Sequence, residues 1–134
     1  YLVASSVLVV IAQRLVRQIC EECREPFDPS PSDLAELADI HLTIEEMPEG
    51  KMWRGAGCAN CYQTGYLDRM AIYEILPVTE PVKEQIMSRV SASVIKRTSI
   101  ERGCTTLRMD GADKVKQGIT TVSEVLRVTQ LDML

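Results

Sequence analysis

Four cysteines stand in two Cys-x-x-Cys pairs, Cys20-Glu21-Glu22-Cys23 and Cys58-Ala59-Asn60-Cys61, with 34 residues between the pairs. Two cysteines three apart in a tight turn aim both sulfurs at one point. Two such turns complete a tetrahedron of thiolates about 2.3 Å from an ion. The pattern therefore predicts a four-thiolate site, with zinc as the expected ion. No ligand position stays open in such a set, and no acid or base accompanies it, so its chemistry is structural rather than catalytic. Disulfides or free thiols are the alternative. An odd total of five cysteines and the lack of a secretory-leader pattern favour a reducing compartment, where disulfides are rare. Four thiolates around a divalent ion leave a net charge of −2. Arg14, Arg17, Arg24 and Arg54 lie close enough in sequence to offset it, or else form a solvated face. Cys104, the fifth, follows Gly103 and reads as a small apolar side chain in a turn.

The 34-residue gap exceeds the roughly 15–20 residues of compact zinc sites, so folded chain must lie between the two knuckles. Upstream, Leu8, Ile11, Ala12, Leu15, Val16 and Ile19 recur at helical spacing, predicting a helix over 3–19 that runs into Cys20. Pro26, Pro29 and Pro31 then break the chain. Ser30-Pro31-Ser32-Asp33 resembles a capping box and opens a short helix with Leu34, Leu37 and Ala38 on one face. Residues 43–50 read as a loop. Lys51–Arg54 and Met70–Leu76 read as strands, expected to pair into a small sheet around the metal. Trp53 is expected to pack against this lobe. Four short helices follow, opened by Thr79, Ser91, Thr106 and Thr121; Gly103 ends the second and Gly118 the third. Thr121-Val122-Ser123-Glu124 reads as a capping box. The expected fold is α+β, mainly α: a small tetracysteine zinc lobe with a short β-hairpin or sheet, followed by a C-terminal bundle of short helices.

Composition narrows the function. The 134 residues are 46% hydrophobic and 25% charged, which is globular composition for one domain or two small lobes. A net charge of −4 and 4% aromatic residues argue against a nucleic-acid footprint or a base-stacking platform. The single histidine, His41, excludes any two-histidine zinc mechanism and is expected at a surface or helix end. The apolar run at 7–12 is far short of the roughly 20 residues of a membrane helix. Its charges follow rather than precede it, the wrong order for a signal peptide. The methionines, Met47, Met52, Met70, Met87, Met109 and Met133, form no stripe at one helical spacing. With no initiator methionine, the chain reads as the C-terminal part of something longer.

Three segments carry a family resemblance across nearly the whole chain. The first is Ile11-Ala12-Gln13-Arg14-Leu15-Val16-Arg17 followed by Cys-x-x-Cys. The second is Gly57-Cys58-Ala59-Asn60-Cys61, then Gly65-Tyr66, Arg69 and Ile72-Tyr73-Glu74-Ile75-Leu76. The third is Thr106-Leu107-Arg108-Met109-Asp110-Gly111, Lys114-Val115, Gly118-Ile119-Thr120-Thr121 and Glu124–Thr129. In that order they resemble the C-terminal end of the type II secretion and type IV pilus assembly ATPases. The resemblance implies a cytoplasmic, hexameric parent ATPase with a RecA-like motor, using ATP and Mg²⁺ and docking on inner-membrane platform proteins. It divides the chain into 1–19 (last helix of the motor core), 20–76 (tetracysteine zinc-binding subdomain) and 77–134 (C-terminal helical subdomain). It places Cys20, Cys23, Cys58 and Cys61 on the family's metal ligands. It places Arg69 on an arginine that reaches toward a nucleotide or a neighbouring subunit, with Asp68 where the family's Gly-Tyr-x-Gly has its last glycine. The plainer reading of Arg69 is a surface arginine paired with Asp68 or Glu74.

No Gly-x-x-x-x-Gly-Lys-Ser/Thr phosphate loop occurs in these residues, so they are not expected to hydrolyse ATP. Neither direct membrane insertion nor nucleic-acid binding is expected. Three rivals share the cysteine pattern. A zinc-ribbon nucleic-acid binder needs a basic face that the sequence lacks. A rubredoxin-like iron electron carrier needs no helical tail of this length. A chaperone zinc domain would repeat the unit at Cys58–Gly65, which occurs once.

Overall fold

A computed structural model describes residues 2–129 of the chain. Met133 and the end of the expected C-terminal subdomain lie outside the described residues. Among the described residues there are six α-helices and two small antiparallel sheets. Strands β1 (Val9–Ile19) and β4 (Tyr66–Pro77) form one ribbon, and β2 (Arg24–Phe27) and β3 (Met52–Gly55) form the other. The helices are α1 (Leu2–Ser6), α2 (Pro31–Asp39), α3 (Glu80–Met87), α4 (Ala92–Glu101), α5 (Leu107–Lys116) and α6 (Val122–Val128). None is long and apolar enough to cross a membrane among the described residues.

The first correction to the sequence reading falls on the helix expected over 3–19. Only residues 2–6 are helical, and Val9–Ile19 is a strand. Its β-branched residues Val9, Val10, Ile11, Val16 and Ile19 favour a pleated surface. The second correction is pairing. The strand at residues 52–55 joins 24–27, while the strand at 66–77 takes 9–19 as partner. In the long ribbon Val9 faces Pro77, Ile11 faces Ile75, Gln13 faces Tyr73, Leu15 faces Ala71 and Arg17 faces Arg69. Those residues share one face, because successive side chains alternate across a strand. Val16 and Ile72 point the other way and are fully buried beneath α5 and α6.

The helix starts follow the chemistry of their caps. Asp33 N–H donates to Ser30 Oγ (3.1 Å) and Ser30 N–H to Asp33 Oδ2 (2.9 Å), completing the box that opens α2. Thr106 Oγ1 accepts from Met109 N–H (3.1 Å), and Glu74 Oε1 accepts from Leu107 N–H (3.0 Å), so β4 itself helps to cap α5. Gly118, at φ +78°, ends α5 in the left-handed conformation that glycine adopts freely. His41, also left-handed at φ +61°, is exposed just past α2. The main core gathers Leu37 and Ile40 at α2, Leu42, Met47, Met52 on β3, Ala112 and Val115 on α5, and Val122 and Val125 on α6. The tail helices pack as pairs: α3 against α4 and α1, and α5 against α6 and the long ribbon.

Candidate metal centre

The two ribbons deliver both knuckles to one place. The β1–β4 register shifts between Arg17 and Ile19, and the chain leaves the ribbon at Cys20. Backbone groups freed there find partners elsewhere. Ile19 N–H donates to Ile119 O (2.8 Å), Cys20 N–H donates to Gly65 O (2.9 Å), and the Thr120 hydroxyl donates to Arg17 O (2.6 Å). Across the knuckles, Ala56 N–H donates to Cys23 O (3.0 Å). Gly55 and Gly65 cross so closely that a Cβ on Gly55 would collide with the Gly65 carbonyl oxygen and Cα.

Cys20, Cys23, Cys58 and Cys61 come together, their sulfurs all within 4.8 Å of one another. Sγ–Sγ separations are 3.8 Å for Cys20–Cys58, 3.8 Å for Cys23–Cys61 and 3.7 Å for Cys58–Cys61. A regular tetrahedron with such edges has its corners about 2.3 Å from its centre, the zinc–thiolate distance. The donor set therefore fits a tetrahedral thiophilic ion. Cys20 and Cys61 are buried and Cys23 and Cys58 half-buried. Cys104 stands apart, in the wall of an apolar cavity of about 350 Å³ with Val10, Val82 and Ile95.

The sulfurs draw on backbone, not on arginine. Gly57 N–H donates to Cys23 Sγ (3.3 Å), Cys58 N–H to Cys61 Sγ (3.4 Å) and Gly65 N–H to Cys61 Sγ (3.2 Å). Burial pushes the Cys61 thiol up, but the Cys58 and Gly65 amides and the neighbouring thiols outweigh it and leave a pKa of about 6. Cys23 is pushed up to about 12, chiefly by burial. Crowded thiols cannot all ionise without a cation among them. The four nearby arginines have other partners. The Arg24 guanidinium lies 4.5 Å from the centre of the Trp53 ring, and that indole donates to Pro48 O (2.9 Å). Arg54 pairs with Glu25 (3.2 Å) and covers Phe27, and Arg14 donates to Gln13 O (2.7 Å).

Arg17 belongs to a network that the sequence reading missed. Glu124 does not return to cap its helix, although Thr121 Oγ1 accepts from Glu124 N–H (3.3 Å). Its carboxylate instead takes Arg17 N–H (2.8 Å), Arg17 Nε (3.0 Å) and Arg127 Nε (2.8 Å). Arg17 also stacks over Tyr66 (4.2 Å), whose hydroxyl is 2.8 Å from Thr121 Oγ1. This network ties the metal lobe to α6. The only signal in sequence was a glutamate and an arginine one helical turn apart on α6. Arg69 pairs with neither Asp68 nor Glu74. Its guanidinium has no ion pair among the described residues, and Glu74 binds Lys96 (3.3 Å) instead. Asp68 adopts φ +66°, the left-handed conformation a glycine would give.

Four cysteines gathered where they could hold one metal ion thus sit in a lobe braced against a helical tail. The chain matches the family described as type II/IV secretion system protein over residues 1–127. It is 39% identical over 132 residues to the type II secretion system protein E of Aeromonas hydrophila, covering 98% of this chain and 25% of that protein. It is 39% identical over 127 residues to the type IV pilus assembly ATPase PilB of Thermus thermophilus, covering 95% and 14%. Identity to the type II secretion system ATPase E of Vibrio cholerae is 36% over 130 residues, covering 97% and 25%. The chain belongs to the type II/IV secretion system protein family, and it spans about a quarter or less of the length of these curated relatives.

Proposed function

We propose that these residues are the zinc-binding and helical part of a cytoplasmic, hexameric ATPase that powers type II protein secretion or type IV pilus assembly. They act as a structural and interaction module. The observation that carries the proposal is the tetrahedral spacing of Cys20, Cys23, Cys58 and Cys61 in a chain of this family. Zinc, when bound, supplies a rigid cross-link and folding free energy. The chain's part is to hold the four sulfurs with the Gly57, Cys58 and Gly65 amides and to brace the lobe on α6 through Arg17, Tyr66 and Glu124. Residues 1–19 would end the motor core, residues 20–76 carry the metal lobe and residues 77–134 the helical subdomain. ATP and Mg²⁺ are handled by the whole protein, with Arg69 a contact for nucleotide or a neighbouring subunit. The partners are other ATPase subunits and inner-membrane platform proteins, which hold it at the membrane without insertion.

Elemental analysis of the purified chain is the test. One zinc per chain is expected, in a colourless sample. Cys58→Ser should lose the metal and several kcal/mol of stability, read as a lower thermal midpoint that chelator no longer shifts. Iron in a coloured sample would transfer the reading to a rubredoxin-like carrier. Melts unchanged by Cys58→Ser would remove the structural role.

A further inference from the structure

A cavity of about 350 Å³ lies where α3 and α4 meet the end of the long ribbon remote from the cysteines. Val10 and Leu76, facing each other across the strands on the side of Val16 and Ile72, line it from the ribbon. Val82 and Ile86 line it from α3, and Ile95 and Ile100 from α4. The polar side chains of the lining are turned to local partners. The Glu74 carboxylate accepts from Leu107 N–H (3.0 Å) and pairs with Lys96 (3.3 Å). The buried Ser99 hydroxyl donates to Ile95 O (2.8 Å), and Thr106 Oγ1 caps α5. Cys104 contributes a thiol, which packs as a small hydrophobe with a weak donor. Protein interiors leave few voids larger than a water molecule. Water settles in a void only where several polar partners meet it, and aliphatic side chains dominate these walls.

We propose that this cavity is a binding site for one hydrocarbon chain of roughly ten carbons, with the head group of its carrier left in solvent. Size sets the length. An apolar cavity of about 150 Å³ holds a benzene molecule, and this one is more than twice as large. Wall chemistry sets the class. A polypeptide segment would bring backbone N–H and C=O groups whose hydrogen bonds to water nothing here replaces. A hydrocarbon chain makes no such demand and gains about fourfold in affinity for each methylene buried. Lys96 and Glu74, both partly exposed beside the cavity, neutralise each other, so no charged head group is selected and the chain itself carries the affinity. A chain seated among Val10, Val82 and Ile95 touches the ribbon, α3 and α4 at once and holds the two helices to the strands. The site makes no use of the cysteine cluster.

The test is titration of the zinc-loaded chain with straight-chain alcohols from butanol to dodecanol, followed through the methyl resonances of Val10, Val82, Ile86, Ile95 and Ile100. Saturable shifts of these methyls are expected, with affinity rising about fourfold per methylene and levelling off at about ten carbons. Cys104→Phe, which fills the cavity from its wall, should weaken decanol binding by about tenfold or more. Ala92→Leu, at the exposed start of α4, fills it from another side and gives the same reading should Cys104→Phe fail to fold. Ile11→Lys, on the uncovered face of the ribbon, should leave decanol binding unchanged. Affinity indifferent to chain length, undiminished binding in the filled variants, or loss of binding in Ile11→Lys overturns the inference. A leucine-rich amphipathic peptide that moves these methyls where decanol does not would overturn it too, and assign the cavity to a protein partner.

Discussion

Glu124 has a side chain 2% exposed, yet both of its arginine partners are about half in solvent, at 43% for Arg17 and 53% for Arg127. Burial pushes the carboxyl up, but the hydrogen bonds from Arg127 and Arg17 outweigh it and bring the pKa from 4.5 to about 2. A depressed folded-state pKa gives stability that is full above about pH 4.5 and is lost as pH falls toward 2. Because the guanidiniums are half solvated, the contribution is on the order of 2 kcal/mol. Glu124→Gln should therefore destabilise the chain at pH 7 by about that amount and flatten its response to acid. Urea unfolding of both proteins at pH 7 and pH 3 measures the difference; equal losses between the two pH values would contradict the ion-pair account. The four cysteines could be read directly from the sequence because thiolate spacing states its own chemistry. Glu124 could not, since a glutamate three residues after a threonine has a ready local use as a cap, and only the arrival of β1 draws it away.

At the scale of elements, the crossing of Gly55 and Gly65 decides how closely β3 can approach the start of β4. The atoms that an added methyl would strike are backbone, which cannot swing aside. Gly55→Ala should cost about 2–3 kcal/mol and quicken zinc transfer to a chromophoric chelator. Gly50→Ala, where a Cβ meets nothing within 4 Å, carries only the strain of its φ of +65° and should leave zinc transfer unaltered. Helices α2 to α6 were legible because serine, threonine, proline and glycine mark their ends locally. The strand at Val9–Ile19 was not. Its apolar residues fit a helical period as well as a strand, and the choice fell to a partner strand 47 (Ile19–Tyr66) to 68 (Val9–Pro77) residues away in sequence. Pairing of residues 51–54 with 70–76 looked natural from proximity around the second knuckle. The metal lobe instead crosses its strands, so each knuckle is flanked by one strand of each ribbon.

For the whole molecule, the long ribbon leaves one face uncovered. Val9, Ile11, Leu15, Tyr73 and Ile75 are each about half exposed on it. A contiguous apolar surface of this kind drives association in water. Replacing the facing pair Ile11 and Ile75 with lysine and glutamate should lower dye binding and self-association on light scattering, with little change in thermal midpoint, since neither side chain is buried and the new pair attracts across the strands. An unchanged scattering profile would place the sticky surface elsewhere.

The same ribbon joins residues as far apart as Val9 and Pro77, with the cysteine cluster at its closed end. In an ordinary hairpin a two-residue turn brings the strands together; here an ion held by the four sulfurs would do that work. Order of assembly follows from this. Contacts so distant along the chain are slow to find by diffusion. Capture of a metal by both knuckles would convert that search into zippering from the Ile19–Tyr66 end outward. Metal supply would then set the pace at which the newly made chain reaches its native form.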